Sequence, residues 1–305
     1  MPAVSVVIPA YNEEAALKGV VVGIRDALER AGIEHEIVIV VDGAEDRTAD
    51  VARGVADRVV EHPQNRGYGR SLKTGILAAS HDRIVITDAD GTYPADRLPD
   101  LIRASDRFDM VVGCRSGRFY QGGVVKRIGR LVFRKLSEFS VGHAIPDINS
   151  GMRVFRKSQV VPFFPVISAG FSFTTTSTLA YLHHELCVHY VPIEYFKRSG
   201  SSKVRHVRDS LRALQIVVEA ILRCNPIKMF LLLAAPFVIA ALICAARAAV
   251  QSDGCQWFLV AAVFASASGM ILSVGFATVA LAPPKVPVER PRPNVEGRVE
   301  SKGVP

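Results

Sequence analysis

Cysteine is scarce in this chain of 305 residues: there are five, and no two are spaced as Cys-x-x-Cys. An odd number without that spacing argues against a disulfide framework or a zinc site and favours reduced thiols. The start of the chain lacks the basic stretch of a secretory leader, and its first apolar run, Val4–Ala10, is interrupted by Ser5 and Pro9. No third glycine completes Gly67-x-Gly69 into a dinucleotide fingerprint. The net charge is +8, yet no nucleic-acid-binding module is recognisable, so the expected anionic partners are a lipid surface or a phosphorylated substrate. The sharpest shortage is of charge. Between Met229 and Pro284 only Arg247 and Asp253 are charged, whereas the preceding chain is densely charged. A composition of 49% hydrophobic and 22% charged residues excludes a wholly disordered chain.

What is present before residue 205 is an alternation of strand-like and helix-like segments. Val4–Ile8, Glu36–Val41, Asp57–Glu61 and Arg83–Thr87 read as strands, and 12–30, 46–56 and 69–80 as helices. Asn12, Glu13 and Glu14 offer an N-cap and first-turn acids to the first helix. Continuous apolar strands between helices predict an α/β fold, a mostly parallel sheet with helices on both faces. Ligands of such sheets sit beyond the carboxyl ends of the strands, which singles out 9–13, 42–46 and 88–94.

Asp88-Ala89-Asp90 follows one of these strands. Extended backbone sends alternate side chains the same way, so the two carboxylates suit a hard cation shared with a diphosphate. A solvated turn leading to a helix at Pro94 and Asp96 is the plainer alternative. Asp42 fits either an acceptor for a nucleobase N–H or an ordinary Asp-Gly turn. Tyr11 fits a surface for a base or a loop aromatic, and Glu13 a ribose contact or a first-turn helix acid. Arg127, Arg130 and Arg134 share one helical face, suited to an anion or to solvent. His183-His184 and Cys114 have no partner spacing that marks them as functional.

The segments VSVVIPAYNE (4–13), DGAEDRT (42–48), NRGYGRSLKTG (65–75) and IVITDADGTYP (84–94), in that order, resemble the signature of family 2 glycosyltransferases. DINSGMRVFR (147–156), FSFTTTSTL (171–179), VPIEY (191–195) and RSGSSK (198–203) extend the resemblance to its dolichol-phosphate mannose synthase-like group, the polyprenyl-phosphate glycosyltransferases. That resemblance implies a GT-A-type, Rossmann-like fold and Mg2+ or Mn2+ as cofactor. It implies a nucleotide-sugar donor, GDP-mannose or a UDP-hexose, and a polyprenyl phosphate acceptor, undecaprenyl or dolichyl phosphate, with inversion at the sugar. By position, Pro9, Tyr11, Glu13, Asp42 and Ala89 would line the nucleotide pocket. Asp88 and Asp90 would hold the metal and, with Arg115, form the catalytic set. Arg198 and Lys203 would reach donor phosphate. Arg115, Arg127, Arg130, Arg134, Asp147 and Ser150 would serve the acceptor phosphate, Asp147 by anchoring its loop. Bringing two anions together requires fixed cations, and a lipid phosphate needs no strong base. Three positions depart from the family pattern: Val41 replaces a first acid, Thr92 a frequent Gln, and Thr174, Thr175 and Thr176 stand where a carboxylate is usual. Alternatives within reach are a processive polysaccharide synthase, whose Gln-x-x-Arg-Trp motif is missing, and a non-catalytic membrane module.

After the catalytic domain, expected over 1–204, Val207, Leu211, Leu214, Val218, Ile221 and Leu222 are interleaved with Arg205, Arg208, Arg212 and Arg223. This predicts an amphipathic juxtamembrane helix over 205–226. Two apolar stretches within 227–284, about 228–249 and 257–282, predict an antiparallel transmembrane hairpin. Flanking Arg223, Lys228, Lys285, Arg290 and Arg292 place the catalytic domain and both termini on the cytoplasmic side of a cytoplasmic (inner) membrane, with 285–305 a disordered tail. A homo-oligomer is compatible with this sequence but not specified by it.

Overall fold

The computed structural model describes residues 3–117, 124–170, 172–197, 215, 218, 226–250 and 254–281. The expected amphipathic helix over 205–226 lies almost wholly outside them, as do Arg198, Lys203 and the tail over 285–305.

Seven strands form one sheet: β1 (Val4–Ala10), β2 (His35–Asp42), β3 (Arg58–His62), β4 (Arg83–Ile86), β5 (Met110–Ser116), β6 (Arg153–Arg156) and β7 (Val188–Glu194), in the spatial order β3-β2-β1-β4-β6-β5-β7. β3, β2, β1 and β4 are parallel neighbours, and β5 and β7 are parallel to one another. β6 lies antiparallel between β4 and β5, so it alone runs against the rest. The sheet is mostly parallel, as the apolar runs predict, with one reversed strand that they do not announce.

Both faces are covered. Val4, Val6 and Ile8 of β1 and Ile37, Ile39 and Val41 of β2 point to one side, where α1 (Leu17–Arg30), α2 (Thr48–Val55) and α4 (Leu98–Ala104) bury Leu17, Ile24, Ala52 and Leu101 against them. Val7, Val38, Ile84 and Ile86 point to the other, against Leu72 and Ile76 of α3 (Tyr68–Ala78) and Phe173 and Tyr181 of α6 (Phe173–His183). Each Val, Leu, Ile or Phe among these, fully withdrawn from water, contributes about 1.5–3 kcal/mol. Gly75 lets α3 approach the sheet, because a Cβ there would meet Val7 and Val40. α5 (Val124–Val141) packs beside α6 through Phe133, Ile145, Ile148 and Leu179.

One boundary differs instructively from expectation. α1 begins at Leu17 with Ala16 as its N-cap and no side-chain cap. Asn12, Glu13 and Glu14 lie ahead of it in a turn. Asn12 has φ 52°, and its Oδ1 accepts the Glu45 N–H at 2.8 Å. The turn is thereby stitched to the 42–48 segment instead of opening the helix.

Two long apolar helices follow, α7 (Pro226–Val250) and α8 (Gly254–Ala280), with mean hydropathy 2.6 and 2.0. At 1.5 Å per residue each reaches the roughly 30 Å of a bilayer core. Pro226 is the first residue of α7, where proline's missing N–H costs nothing. Ala261, Ser268 and Gly275 are buried at seven-residue intervals along α8. Seven residues are close to two turns, so the three line one stripe, and Phe230 of α7 fills the space left at Gly275. At the turn end, the Arg247 guanidinium lies 5.2 Å from the Trp257 ring centroid. At the other end, Lys228 Nζ donates to the Phe139 carbonyl at 3.0 Å and Met229 packs on Phe133 and Leu136, so α7 starts against α5.

Candidate active site

The predicted residues gather at the carboxyl edge of the sheet. Pro9 lies at the end of β1 with Tyr11 just beyond it, Asp42 is the last residue of β2, Asp88 and Asp90 follow β4, and Arg115 lies at the end of β5; Tyr195, which the sequence did not single out, follows β7. β6 runs backwards, so the loop before it, 147–152, arrives at this same edge.

The Asp88–Asp90 segment is not extended. β4 ends at Ile86, and Ala89 and Asp90 lie in a turn, so strand alternation is not what orients the two carboxylates. Hydrogen bonds hold each of them instead. Thr92 donates both its N–H (3.1 Å) and its hydroxyl (2.6 Å) to Asp90 Oδ1. The Tyr68 hydroxyl donates to Asp88 Oδ1 at 2.8 Å. Thr92 thus supports Asp90 at the position where the family often has Gln. Asp90 is buried, Asp88 half-buried, and Ala89 buried between them.

Arg115 and Asp147 form the second part of the site. Arg115 Nε and Nη2 donate to the two oxygens of Asp147 at 2.7 and 2.9 Å, and the Arg115 N–H adds a third bond. The Arg115 guanidinium also lies 5.4 Å from the Tyr195 ring, which meets Tyr93 edge-on. Phe196 N–H donates to the Thr92 carbonyl at 2.9 Å, so the strand-exit segment leading to residue 198 is tied to the acidic turn. Ser150 is fully buried. Desolvation pushes the Tyr93 and Tyr68 hydroxyls above the ordinary tyrosine range, with the Asp88 charge adding to it in both, so both stay protonated and able to donate. Burial, with the Asp147 charge, raises the Cys114 thiol, which makes it a poor nucleophile.

Arg153 organises the loop from beneath. It is wholly buried, and its guanidinium donates at 2.7 Å to the carbonyls of Ile148, Ser150 and Thr174 and to the Thr178 hydroxyl. Two of these acceptors lie on α6, and one of them, the Thr174 carbonyl, belongs to the threonines that depart from the family pattern.

Asp42 is placed differently from a freely presented base acceptor. It is buried, His62 Nδ1 lies 2.6 Å from Oδ1, and the N–H groups of Arg66 and Gly67 donate to its two oxygens. Burial opposes its charge, but these hydrogen bonds more than offset that, and the carboxyl is held below its usual range. Its carboxylate ties the 62–67 loop across the end of β2, where Gly43 has φ 65° and a Cβ would collide with the Gln64 and Asn65 backbone. The Glu13 N–H donates to Thr48 Oγ1 at 2.8 Å, joining the first two motifs. Arg127 and Arg134 lie on α5, apart from the acidic turn in sequence and element; Arg127 is exposed, and Arg134 Nε is 3.8 Å from Glu138. The Arg130 side chain, Arg198 and Lys203 fall outside the described residues.

Among the described residues, no three His, Cys, Asp or Glu side chains are grouped to hold a metal ion by themselves. Two carboxylates one residue apart, each bonded by a hydroxyl, do fit Mg2+ or Mn2+, which take one or two protein carboxylates and complete their shell with phosphate oxygens and water. Tyr68, Tyr93, Tyr195, His62 and Arg153 were not singled out from the sequence. All but His62 sit inside quoted motifs, and only the fold reveals what their side chains touch.

Residues 5–160 match the family model described as Glycosyl transferase family 2. The dolichyl-phosphate hexose transferase of Haloferax volcanii is 32% identical over 204 residues, covering 66% of this chain and 86% of that protein. The undecaprenyl-phosphate 4-deoxy-4-formamido-L-arabinose transferase of Pseudomonas aeruginosa is 32% identical over 185 residues, covering 55% of this chain and 54% of that one, so this chain spans about half of its length. Among solved structures, glucosyl-3-phosphoglycerate synthase from Mycobacterium tuberculosis, in complex with Mn2+, UDP and glucosyl-3-phosphoglycerate, superposes with a TM-score of 0.58 at 20% identity, covering 72% of this chain and 80% of that chain. At that identity the likeness is one of fold.

Proposed function

This chain belongs to glycosyl transferase family 2, and from that premise we propose that it moves one sugar from a nucleotide-diphosphate sugar to a polyprenyl phosphate at a membrane surface. The observation that carries the reading is the meeting, at one sheet edge, of the Asp88–Asp90 turn with the Arg115–Asp147 pair, next to a chain that continues into two apolar helices of spanning length.

In this reading Asp88 and Asp90 hold Mg2+ or Mn2+ on the donor diphosphate, and the ion supplies positive charge to the departing nucleoside diphosphate. Pro9, Tyr11, Glu13 and Ala89 line the nucleotide pocket, with Asp42 shaping its wall through the 62–67 loop. Arg115, fixed at its angle by Asp147, faces the acceptor phosphate, with Ser150 in the loop beside it. Arg127, Arg130 and Arg134 draw the anionic lipid toward the site, and Arg198 and Lys203 serve donor phosphate. A phosphate oxygen of the lipid attacks the anomeric carbon as the bond to the nucleoside diphosphate breaks, which inverts that centre. The acceptor is already anionic near neutral pH, so the residues position it and neutralise charge; they need not remove a proton. GDP-mannose or a UDP-hexose is the donor, and undecaprenyl or dolichyl phosphate the acceptor. The catalytic domain over 1–204 and both termini lie on the cytoplasmic side, and the basic, apolar-interleaved sequence over 205–226 serves as the contact with the headgroup layer.

The test uses the full chain in detergent with undecaprenyl phosphate and Mg2+ or Mn2+. Labelled UDP-glucose, UDP-GlcNAc, UDP-galactose and GDP-mannose are offered separately. Label in the organic phase with one of them is the expected result, and it is lost in Asp90→Ala. Transfer that persists in Asp90→Ala removes Asp90 from the ion site; a folded wild type inert toward every donor overturns the reading.

A further inference from the structure

Asp88 is held from outside its own turn. Tyr68, the first residue of α3, donates its hydroxyl to Asp88 Oδ1 at 2.8 Å. Gly151, in the loop ahead of β6, lies so close that a Cβ there would stand 2.7 Å from Oδ2 and 2.9 Å from Oδ1. Gly151 is itself fixed: its N–H donates to the Tyr93 hydroxyl at 2.6 Å, and Arg153 holds the carbonyl of the preceding residue, Ser150.

We propose that Tyr68 and Gly151 are positioning residues that set the direction in which the Asp88 carboxylate meets a divalent cation. This rests on the reading of Asp88 as an ion-holding residue. The last torsion of an aspartate is broad and roughly two-fold, so an untended carboxylate samples many orientations. A hydroxyl on one oxygen and a backbone pressed against the group select one of them. Partners that orient a ligand in this way commonly contribute ten- to a hundred-fold to metal affinity (order-of-magnitude figures). Tyr68 and Gly151 carry no charge, so a search for acids and bases passes over them. The arrangement also joins the two halves of the site: the loop that presses on Asp88 is the loop whose Asp147 grips Arg115.

The test reads ion binding without turnover. Free Mn2+ is followed by electron paramagnetic resonance as it is titrated into the full chain in detergent, alone and with UDP or GDP. Tyr68→Phe keeps the ring and removes only the hydroxyl; Mn2+ binding is expected to weaken about tenfold, while the melting temperature of the metal-free protein is unchanged. Gly151→Ala, which pushes a methyl into the carboxylate, is expected to weaken it at least as much. Asp88→Asn is the reference. If Asp88→Asn binds Mn2+ like wild type, or wild type binds none with either nucleotide, the ion-site reading itself fails. If Asp88→Asn loses the ion while Tyr68→Phe stays within about twofold of wild type, well short of the expected loss, only the positioning inference is overturned. A Tyr68→Phe variant that melts lower without metal yet binds Mn2+ normally overturns it as well, by assigning Tyr68 to packing.

Discussion

Replacing Arg153 with methionine keeps much of the side-chain length and removes the guanidinium. Two effects oppose one another. The folded protein no longer holds a desolvated charge, which is favourable by several kcal/mol. Against that, buried acceptors lose their donors. The Thr174 carbonyl also accepts from Ser177 and Thr178 hydroxyls, so it remains served. Ile148 and Ser150 carbonyls have Arg153 as their donor at 2.7 Å. A buried orphaned acceptor costs about 1–3 kcal/mol, and bonds from a charged donor lie at the upper end. Breaking one side of a buried charged network commonly costs about 3–5 kcal/mol in total, and we expect about 3 kcal/mol here. The loss falls on the 147–152 loop, so the assay is hydrogen exchange of its amides. About 3 kcal/mol corresponds to roughly a hundredfold faster exchange there. Tryptophan fluorescence is unsuited to the purpose, because the single tryptophan, Trp257, sits in the apolar hairpin. Unchanged exchange over 147–152 in a folded Arg153→Met protein would refute the reasoning and show that the recovered hydration outweighs the lost bonds.

Two further perturbations probe the scaffold. Gly75→Ala places a methyl against Val7 and Val40 across the α3–sheet contact and is expected to cost about 1–3 kcal/mol, read as a lowered urea midpoint. For pH, Asp42 is held below its usual range, so its contribution is present above the unfolded value of about 4 and is lost as pH falls through the lower folded value. Asp42→Asn should therefore be less stable than wild type at pH 7, with the gap closing below about pH 4; a gap that is constant from pH 7 to pH 3 by thermal melting contradicts this.

Much of the α/β frame was legible in the sequence. β1, β2 and β4 are nearly unbroken β-branched runs, and a strand buried on both faces leaves that mark whatever its neighbours. The reversal of β6 left none, because Arg153–Arg156 is four residues long and direction is decided by what flanks a strand. The acidic turn was found for its residue types, but the reason first offered for its convergence, an extended backbone, does not describe residues 88–90. Asp42 shows the limit most plainly. An Asp-Gly at a strand end allowed both a ligand contact and a turn, and only the placement of His62 and the Arg66 and Gly67 amides shows that its oxygens organise a loop. Arg153 was unreadable for a related reason: a guanidinium satisfied by carbonyls and the Thr178 hydroxyl has no complementary charge to signal it.

The reversed strand has an architectural consequence. The segment between β5 and β6 leaves the sheet at Ser116 and returns ahead of Arg153 on the same edge, and the Arg115–Asp147 pair clasps its two ends. Between those ends lies α5, an insertion that packs in turn on α6 and on the start of α7. Because the segment leaves and re-enters the sheet at one edge, a shift of α5 bears on the Arg115–Asp147 pair at its base and leaves the register of the strands alone.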